Sequence, residues 1–443
     1  MQNSTLGLKD VLQAFKPQPQ PNNRPRLGFE YEVFLFHRQG LKPLRWEGSN
    51  GLKATLAYAA QQTGGTPIAT DPDKKFRLPS GAYLSVEPGG QFEYSSVPQE
   101  TFGGCMRELQ QFNEILQDVC DHMDFVPFYG GANPLHTVDE IGLVVQTTRY
   151  RLMDNYFARI GPAGRRMMRQ TASLQLTFDY KTVEQGELLV RAASYLAPIV
   201  AGALSHSPFI DGQRSPYKSH RVSIWKDVDP FRCGPLPGFT AETYGFADYA
   251  EYVMKAPMFF IQKGSELTGV ENLTFEDFNR FGHGGHFATF DDFTRHNSTI
   301  FNDVRLKGTV EVRTIDCQHP SLLLPIIAWL GGLLMSHKAR QAVIVQLGHL
   351  RAESFEEITT DLGRQGLAAK IQGAPAVEIL KELLDLSERF LPSSFSDADT
   401  ARDYLSPLRA MVDQVITPAD AVLEKFGDDP SHWVRSAADA NVL

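Results

Sequence analysis

Residues 28–36, with the sequence GFEYEVFLF, form the feature that most restricts how this chain can fold. Aromatic and branched side chains dominate the stretch, and this composition predicts a β-strand. Residues two apart in a strand share one face, so Glu30 and Glu32 point the same way. Two neighbouring carboxylates are costly to bury unless one is protonated or a cation lies between them. The pair therefore indicates either an edge strand with one solvated face or a buried strand that binds a divalent cation such as Mg²⁺.

Length, charge and cysteine spacing exclude several classes of protein. The 443 residues suffice for one large domain or for several smaller ones. A net charge of −9 without a basic block argues against binding to nucleic acid or to an acidic membrane. The start of the chain lacks the pattern of a signal peptide, and the four scattered cysteines fit neither a structural zinc site nor a disulfide framework. We expect a reducing, cytoplasmic location, and a buried helix for the apolar run 321–335.

The hydrophobic pattern divides the chain into three parts. Residues 1–25 begin with a short helix candidate and continue as an extended, proline-rich N-terminal segment. Residues 26–335 form the predicted main domain, with strands near 28–36, 76–78, 83–87, 91–94, 125–129, 173–180 and 307–314, and helices near 53–62, 101–122, 149–158, 188–204 and 321–335. Residues 336–443 form a helical C-terminal part, packed on the same domain, with helices near 376–391 and 401–415. This mixture of separate strands and helices favours an α+β fold with an antiparallel sheet, and residues 205–300 receive no clear assignment.

Glutamates recur on other predicted strands. Glu87 and Glu93 flank the glycine turn in SVEPGGQFE, and this turn can bring both carboxylates to one place. Glu311 and Arg313 share one face of the strand that contains TVEVR. Carboxylates on strands with apolar neighbours are unfavourable in an ordinary core. They suit several Mg²⁺ ions that hold a polyphosphate.

Polar and basic side chains complete this constellation. Gln175 and Thr177 share one face of SLQLTFDY, where they can donate or accept hydrogen bonds without adding charge. Arg313, together with Arg305 or Lys307, could hold a transferred phosphoryl group. The pattern therefore indicates phosphoryl transfer supported by metal ions.

Several stretches resemble the glutamine synthetase superfamily. LGFEYEVFLF is similar to its first metal-binding strand, EPGGQFEYS to its glutamate–glycine–glutamate turn, and VRLKGTVEVR to its late strand with a metal glutamate and a phosphate-binding arginine. Within that superfamily, the chain most resembles the plant and proteobacterial type of glutamate–cysteine ligase. The ordered motifs that carry this resemblance span about residues 28 to 330 and read SVEPGGQFEYS, RYRLMDNYF, MMRQTASLQLTFD, SHSPFIDG, HRVSIWKDVDPFRCG, PMFF and FNDVRLKGTVEVR.

The resemblance implies a fold and a reaction. The fold would be the glutamine synthetase-like one, a curved, mostly antiparallel sheet covered by helices. The reaction would join L-glutamate to L-cysteine through a γ-glutamyl phosphate, the first step of glutathione biosynthesis. ATP would be the co-substrate, and two or three Mg²⁺ ions, or Mn²⁺ in their place, would be the cofactors. The partners would be these small molecules, without nucleic acid or membrane, and the enzyme would be a monomer or a homodimer.

The resemblance also implies three sets of site residues. The metal ligands would be Glu30, Glu32, Glu87, Glu93, Gln175 and Glu311. The substrate-binding residues, one of them an arginine that grips glutamate and one a tryptophan that walls its pocket, would be Arg221, Trp225, Phe259 and Arg149. The nucleotide-binding residues would be Arg305, Lys307, Arg313 and Thr177. The catalytic residues would be Arg313 and Glu311.

Other features leave alternatives open. The family usually has asparagine in place of Thr177 and tyrosine in place of Phe259, so a glutamate ligase for a different amine is the main alternative. A phosphagen-type kinase and a non-catalytic ligand-binding relative are two further alternatives. The cysteines do not reproduce the plant redox disulfides, so we expect no thiol switch. His283, His286 and His296 could bind a transition metal, although a mobile polar loop over the site is the favoured interpretation.

Overall fold

The computed structural model describes residues 5–19, 24–71 and 73–436, and a nine-stranded sheet lies at its centre. In chain order the strands are β1 Leu27–His37, β2 Thr66–Pro67, β3 Lys75–Arg77, β4 Tyr83–Val86, β5 Phe92–Ser95, β6 Phe125–Phe128, β7 Ser173–Phe178, β8 Val304–Leu306 and β9 Val310–Asp316. They are arranged as β8-β9-β7-β1-β5-β4-β3-β2, and β6 pairs with the end of β1. The pairings of this sheet are antiparallel, which confirms the predicted α+β class.

β1 lies in the interior of the sheet. In β7, Gln175 is directly opposite Glu30, and in β5, Glu93 is directly opposite Glu32. Tyr31, between the two glutamates of β1, is fully buried on the other face. The edge-strand interpretation of this glutamate pair is therefore wrong.

Helices cover the sheet and supply most of the remaining core. In the first 335 residues they are Leu8–Val11, Leu52–Thr63, Phe102–Met123, Val138–Ile141, Thr148–Ile160, Ala163–Gln170, Val183–Ala203, His220–Lys226, Phe246–Lys255, Phe275–Phe281, Phe290–Asn297 and Pro320–Leu334. The later helices are His337–Leu347, Phe355–Gln365, Ala376–Ser394, Ala398–Asp403, Ser406–Gln414, Pro418–Phe426 and Pro430–Ser436. Short 3₁₀ turns are Leu12–Phe15, Ala352–Ser354 and Gly366–Ala368.

The N-terminal segment is anchored to the domain through its first turns. Helix Leu8–Val11 continues into the 3₁₀ turn Leu12–Phe15, in agreement with the predicted helix start. The Phe15 ring is fully buried and packs edge-on against Tyr249 at 5.4 Å between ring centroids. The extended stretch predicted to follow includes residues 20–23, which lie outside the described residues.

The apolar run near residue 330 forms a core helix. Pro320–Leu334 is buried along most of its length, and Ser387 of helix Ala376–Ser394 donates to the carbonyl oxygen of Trp329 at 2.8 Å. In the described part of the chain, no single helix is long and apolar enough to cross a bilayer. One pair bent by 88°, Pro320–Leu334 with His337–Leu347, meets that criterion by length and composition alone. The prediction of a buried helix is confirmed.

Two sequence predictions differ from the structure. The single strand predicted at 307–314 is a hairpin, because the chain turns at Gly308, whose φ of +74° lies in the region that glycine adopts without strain. The helix predicted at 401–415 is two helices, and the second begins at Ser406 with Pro407, whose ring cannot continue a preceding helix.

Residues 205–300 contain helices and short two-stranded ribbons. The ribbons are Phe209–Ile210 with Gln213–Arg214, Phe260–Lys263 with Glu266–Gly269, and a parallel pair, Cys233–Gly234 with Phe301–Asn302. A further ribbon, Lys370–Ile371 with Ala374–Pro375, lies in the helical C-terminal part. The parallel pair places residues 233–234 beside the segment that leads into β8.

Candidate active site

A cavity of about 350 Å³ lies against the polar face of the central sheet. We call it the carboxylate cavity because four glutamates from β1 and from the β4–β5 hairpin line it. These are Glu30, Glu32, Glu87 and Glu93, and they form the carboxylate cluster. Cationic side chains line other parts of the same cavity: Lys75, Arg149, Arg221, Arg305, Lys307 and Arg313. The structure thus brings together residues that the sequence placed on separate strands.

The turn between β4 and β5 positions Glu87 next to the cavity. The Glu87 N–H donates to the carbonyl oxygen of Gln91 at 2.9 Å, and the Gly90 N–H donates to that of Glu87 at 2.9 Å. Gly90 has a φ of +92°, and a Cβ atom at Gly89 would overlap the backbone of Arg169. The two glycines therefore allow the turn and its close approach to the neighbouring helix, as the sequence predicted.

The carboxylate cluster lacks enough positive charge of its own. Burial, with the charge of Glu93 adding to it, raises the pKa of Glu32 to about 7. Burial, with the charges of Glu87 and Glu30 adding to it, raises the pKa of Glu93 to about 8. Burial and the charge of Glu32 also raise the pKa of Glu87. Glu32, Glu87 and Glu93 are therefore easier to protonate than usual, which is the response of buried anions that repel one another in a low-dielectric site.

The cluster suits a hard divalent cation by its chemistry. Among the described residues, no group of three or more histidine, cysteine or acidic side chains is arranged so as to hold an ion as it stands. Carboxylate oxygens are nevertheless the ligands that Mg²⁺ prefers, and a cation would offset both the burial and the mutual repulsion that raise these pKa values. The donor set fits the predicted cofactor, and the roles of the individual glutamates stay predictions.

Glu311 is in a different environment from the cluster. It is only 2% exposed, and it accepts hydrogen bonds from Arg305 Nε at 2.7 Å and from Arg313 Nη1 at 2.8 Å. Lys307 Nζ lies 3.4 Å from its other oxygen. Burial alone would raise the pKa of Glu311, but the three cations outweigh burial and hold it well below its usual range. In this arrangement Glu311 orients the cations, and its role as a metal ligand stays a prediction.

Gln175 connects the two kinds of glutamate. Its Nε2 donates to Glu32 Oε1 at 3.2 Å, and its Oε1 accepts from Arg313 Nη1 at 2.6 Å. Thr177 lies opposite Glu311 in the β7–β9 pair but does not line the carboxylate cavity. The amide at 175 therefore links the anionic and cationic sides, while the nucleotide-binding role of Thr177 stays a prediction.

A second cavity, of about 470 Å³, adjoins the first. Four residues line both cavities and form the wall between them: Arg221, Trp225, Phe301 and Arg313. Arg221 Nη2 donates to the carbonyl oxygen of Arg313 at 2.7 Å, and its guanidinium carbon lies 5.3 Å from the centre of the Trp225 ring. We call this space the wall cavity, because two predicted substrate residues, Arg221 and Trp225, form its boundary with the first.

Buried polar atoms without partners surround the wall cavity. They are Arg221 Nε, Arg313 Nε and Trp225 Nε1, which are donors, and Asn302 Oδ1, which is an acceptor. Buried polar groups are nearly always hydrogen-bonded in native proteins, so a cluster of exceptions at one cavity indicates a polar ligand. A ligand with both an anionic and a cationic group would match them, because the anionic group could accept from the donors and the cationic group could donate to the acceptor.

The other two predicted substrate residues lie in different surroundings. Arg149 lines the carboxylate cavity and donates to Ser298 Oγ at 3.1 Å. Phe259 lines neither cavity: it is 3% exposed, and its ring lies 4.0 Å from the guanidinium carbon of Arg232. Phe259 stacks on Phe301 at 6.5 Å between centroids, so it supports the wall from behind.

The histidines near residue 290 do not form a metal centre. His283 and His286 exchange backbone hydrogen bonds of 2.8 and 3.0 Å, and His286 Nε2 lies 3.1 Å from Asp292 Oδ2. His296 is buried beside the Val253 carbonyl oxygen, and burial lowers its pKa to about 3. The described residues thus give no support to the transition-metal alternative.

Comparison with known proteins identifies the family. A family model described as glutamate–cysteine ligase family 2 (GCS2) matches residues 26–438. The chain belongs to this family. It is 27% identical over 419 residues to the chloroplastic glutamate–cysteine ligase of Nicotiana tabacum, covering 93% of this chain and 77% of that protein. Its identity to the corresponding protein of Arabidopsis thaliana is 27% over 441 residues, covering 97% and 81% of the two chains.

A solved structure supports the fold of this family member. The glutamate–cysteine ligase of Francisella tularensis, determined in complex with AMP, matches with a TM-score of 0.59 and 11% sequence identity. The match covers 94% of this chain and 87% of that chain. It extends over the sheet and the C-terminal helices alike, and it confirms the fold predicted from the motifs.

The structure adds residues that the sequence interpretation of this GCS2 chain did not select. Tyr150 Oη donates to Glu87 Oε2 at 3.3 Å, and the Ser173 N–H donates to Glu32 Oε2 at 2.7 Å. Asp303 lines the wall cavity beside Asn302. Tyr150, Ser173 and Asp303 fall within the quoted motifs RYRLMDNYF, TASLQLTFD and FNDVR, so the motifs contained a signal for each of them.

Proposed function

We propose that the protein is an ATP- and Mg²⁺-dependent ligase that joins the γ-carboxyl group of L-glutamate to the amino group of L-cysteine. The product would be γ-glutamylcysteine, and the reaction would be the first step of glutathione synthesis. The observation that carries this proposal is the shared wall: Arg313 faces both a cavity rich in carboxylates and a cavity rich in unpartnered polar groups. Membership of the glutamate–cysteine ligase family supports the same reaction.

The carboxylate cavity would bind the triphosphate of ATP. Glu30, Glu32, Glu87 and Glu93 would hold the Mg²⁺ ions. Gln175, whose amide oxygen accepts from Arg313, would lie beside these ions. When bound, the ions supply positive charge that neutralises the phosphate oxygens. The chain itself adds the guanidinium and ammonium groups that line the cavity, and these favour the binding of an anion.

Arg313 would act where the phosphoryl group is transferred. The γ-carboxylate of glutamate attacks the terminal phosphorus of ATP and displaces ADP, with the attacking and leaving oxygens in line. Glu311 and Gln175 fix the Arg313 guanidinium by hydrogen bonds of 2.8 and 2.6 Å. A guanidinium held in advance pays little reorganisation cost when it stabilises the negative charge of the transition state.

The wall cavity would bind the amino acids. Arg221, oriented by the Arg313 carbonyl oxygen, offers its unpartnered Nε to a substrate carboxylate. The cysteine nitrogen then attacks the γ-glutamyl phosphate and releases inorganic phosphate. No nucleophilic side chain of the enzyme is needed in either step, because ATP has already activated the carboxyl group.

The test is release of ADP by the purified protein with ATP, Mg²⁺, glutamate and a panel of amines. We expect ADP release to require glutamate and cysteine together and to match γ-glutamylcysteine formation one to one. Turnover with another amine but not with cysteine would overturn the acceptor assignment. A phosphorylated guanidine without amide would indicate a phosphagen-type kinase, and nucleotide binding without turnover on any amine would indicate a binding protein.

Location and assembly belong to the same proposal. We propose a cytoplasmic enzyme that works as a monomer or a homodimer on small-molecule substrates, without nucleic acid or membrane partners. The net charge of −9 and the absence of a basic block support this assignment of partners. Light scattering of the purified chain and fractionation of the source cells are the corresponding measurements.

A further inference from the structure

Asp303 occupies a fixed position in the wall cavity. It lies between the strand Phe301–Asn302 and β8. Its N–H donates to the carbonyl oxygen of Gly234 at 3.0 Å, and its carbonyl oxygen accepts from the Arg313 N–H at 3.0 Å. The backbone of Asp303 is therefore tied on one side to residues 233–234 and on the other to the residue that faces both cavities.

The carboxylate of Asp303 is unpaired, in contrast to its buried neighbour Asp316. Asp316 accepts hydrogen bonds from Ser207 Oγ at 2.7 Å, from Ser219 Oγ at 2.9 Å and from the His206 N–H at 2.8 Å. Among the described residues, no hydrogen bond or ion pair involves the Asp303 carboxylate, although the residue lines the cavity. An acceptor left open toward a cavity is available to a cationic ligand.

We propose that Asp303 binds the ammonium group of the acceptor amino acid and takes one of its protons as the nitrogen attacks the γ-glutamyl phosphate. This inference rests on the proposed ligase function and assigns a base to its second step. An ammonium nitrogen has no lone pair to donate, so one proton must leave before the C–N bond can form. The backbone of Asp303 is hydrogen-bonded to the backbone of Arg313. The Asp303 carboxylate is therefore next to the place where the acyl phosphate would be.

The step balances in atoms and charge. The ammonium group gives one proton to the Asp303 carboxylate, and the nitrogen lone pair forms the C–N bond. The bond between the acyl carbon and the phosphate oxygen breaks, and the phosphate leaves with the electron pair. A second proton passes from nitrogen to the departing phosphate, and the third remains on the amide.

The protonation behaviour of Asp303 suits this role. Burial raises its pKa to about 6, against the opposing charges of Arg221 and Arg313. At neutral pH the group is thus largely ionised and is a stronger base than an ordinary aspartate. The other charged or titratable groups that line the wall cavity are Arg221, Arg313, Lys226, Cys233, Glu353 and Glu356.

The test uses two acceptors that differ in their need for a base. Cysteine carries an ammonium group at neutral pH, whereas hydroxylamine is largely uncharged and attacks an acyl phosphate without prior deprotonation. Formation of γ-glutamylcysteine and of γ-glutamyl hydroxamate is measured with wild type, Asp303→Asn and Asp303→Glu. The matched control is Asp227→Asn, which changes an exposed aspartate that lines neither cavity.

We expect Asp303→Asn to reduce amide formation with cysteine by about 100-fold or more, as for loss of a general base, and to change hydroxamate formation by less than threefold. Asp303→Glu should recover part of the cysteine reaction, and Asp227→Asn should match wild type. In wild type, the rate of amide formation with cysteine should fall as pH drops through about 6, and Asp303→Asn should lack this fall.

Two results would overturn the proposal. One is equal loss of both products in Asp303→Asn, which would show a structural role. The other is near-wild-type reaction with cysteine. Failure of the ligase assignment itself gives a different result, because wild type would then form neither product and release no ADP with glutamate.

Discussion

The carboxylate cluster and Glu311 lie on the same sheet, yet the protein treats their charges in opposite ways. Burial and mutual repulsion raise the pKa of Glu32 to about 7 and of Glu93 to about 8. Three cations outweigh burial at Glu311 and hold its pKa well below the usual range. The cluster is thus short of positive charge, whereas Glu311 has positive charge in excess.

The difference shows how one site can bind both an anion and cations. Arg305 and Arg313 face the cavity while Glu311 holds them from the protein side. The negative charge of the carboxylate cluster, in contrast, must be balanced by a ligand that enters the carboxylate cavity. A polyphosphate accompanied by divalent cations carries both of the charges that this arrangement lacks.

The largest effect is expected on removal of the charge of Glu311. Glu311→Gln leaves buried cations without an anionic partner, and loss of one member of a buried ion pair costs about 3–5 kcal/mol of stability. Glu93→Gln should cost far less in metal-free protein, because a carboxyl group with a pKa of about 8 is already largely neutral at pH 7.5 and a neutral amide replaces it. Urea unfolding at pH 7.5 measures both free energies of unfolding.

A double variant controls for this interpretation. Arg305→Met combined with Glu311→Gln removes both members of the closest pair, and it should recover part of the stability lost by Glu311→Gln. Equal destabilisation by Glu93→Gln and Glu311→Gln would show that the two regions do not differ as described.

A smaller effect is expected from pH on the metal-free protein. The native pKa values of Glu32 and Glu93 are raised, so the native state keeps protons that the unfolded chain releases. The free energy of unfolding should therefore fall as pH rises from the ordinary glutamate value toward 8. Calorimetry from pH 5 to pH 8.5 measures this slope.

Two controls sharpen the pH experiment. The double variant Glu32→Gln/Glu93→Gln should lose the fall in stability, and millimolar Mg²⁺ should flatten it in wild type, because a bound cation replaces the protons. A slope that is the same in the variant would assign the dependence to other groups.

Sequence reasoning recovered the two halves of the carboxylate cluster because the geometry of each half is local. Glu30 and Glu32 share a face by the two-residue period of a strand, and Glu87 and Glu93 meet across one glycine turn. The α+β class followed from the order of strands and helices. Neither half of the cluster needed knowledge of contacts between segments distant in the sequence. The pairing of β1 with β5, which joins the two halves, is such a contact, and it was inferred from the shared chemistry of the motifs and from the family resemblance.

The wall cavity could not be predicted in that way. It depends on the parallel pairing of Cys233–Gly234 with Phe301–Asn302, and nothing local to either segment specifies that contact. The cation pairing of Glu311 was also missed, because the hairpin turn at Gly308 brings Arg305 opposite Glu311, whereas a continuous strand would not. Asp303 was overlooked because its position depends on two contacts between distant segments. These are the parallel pairing just before it and the hydrogen bond from the Arg313 N–H to its carbonyl oxygen.

The smallest effect should come from Lys307, and it tests which cations hold Glu311. Its side chain is 36% exposed and lies 3.4 Å from Glu311, whereas Arg305 is 8% exposed at 2.7 Å. Partly solvated ion pairs contribute less than about 1 kcal/mol, so Lys307→Met should shift the urea midpoint only slightly. Arg305→Met, the matched change at the buried cation, should shift it several times more. If Lys307→Met destabilised the protein as much as Arg305→Met, exposure to solvent would not weaken the Lys307–Glu311 pair. The excess of positive charge at Glu311 would then depend on Lys307 as much as on Arg305.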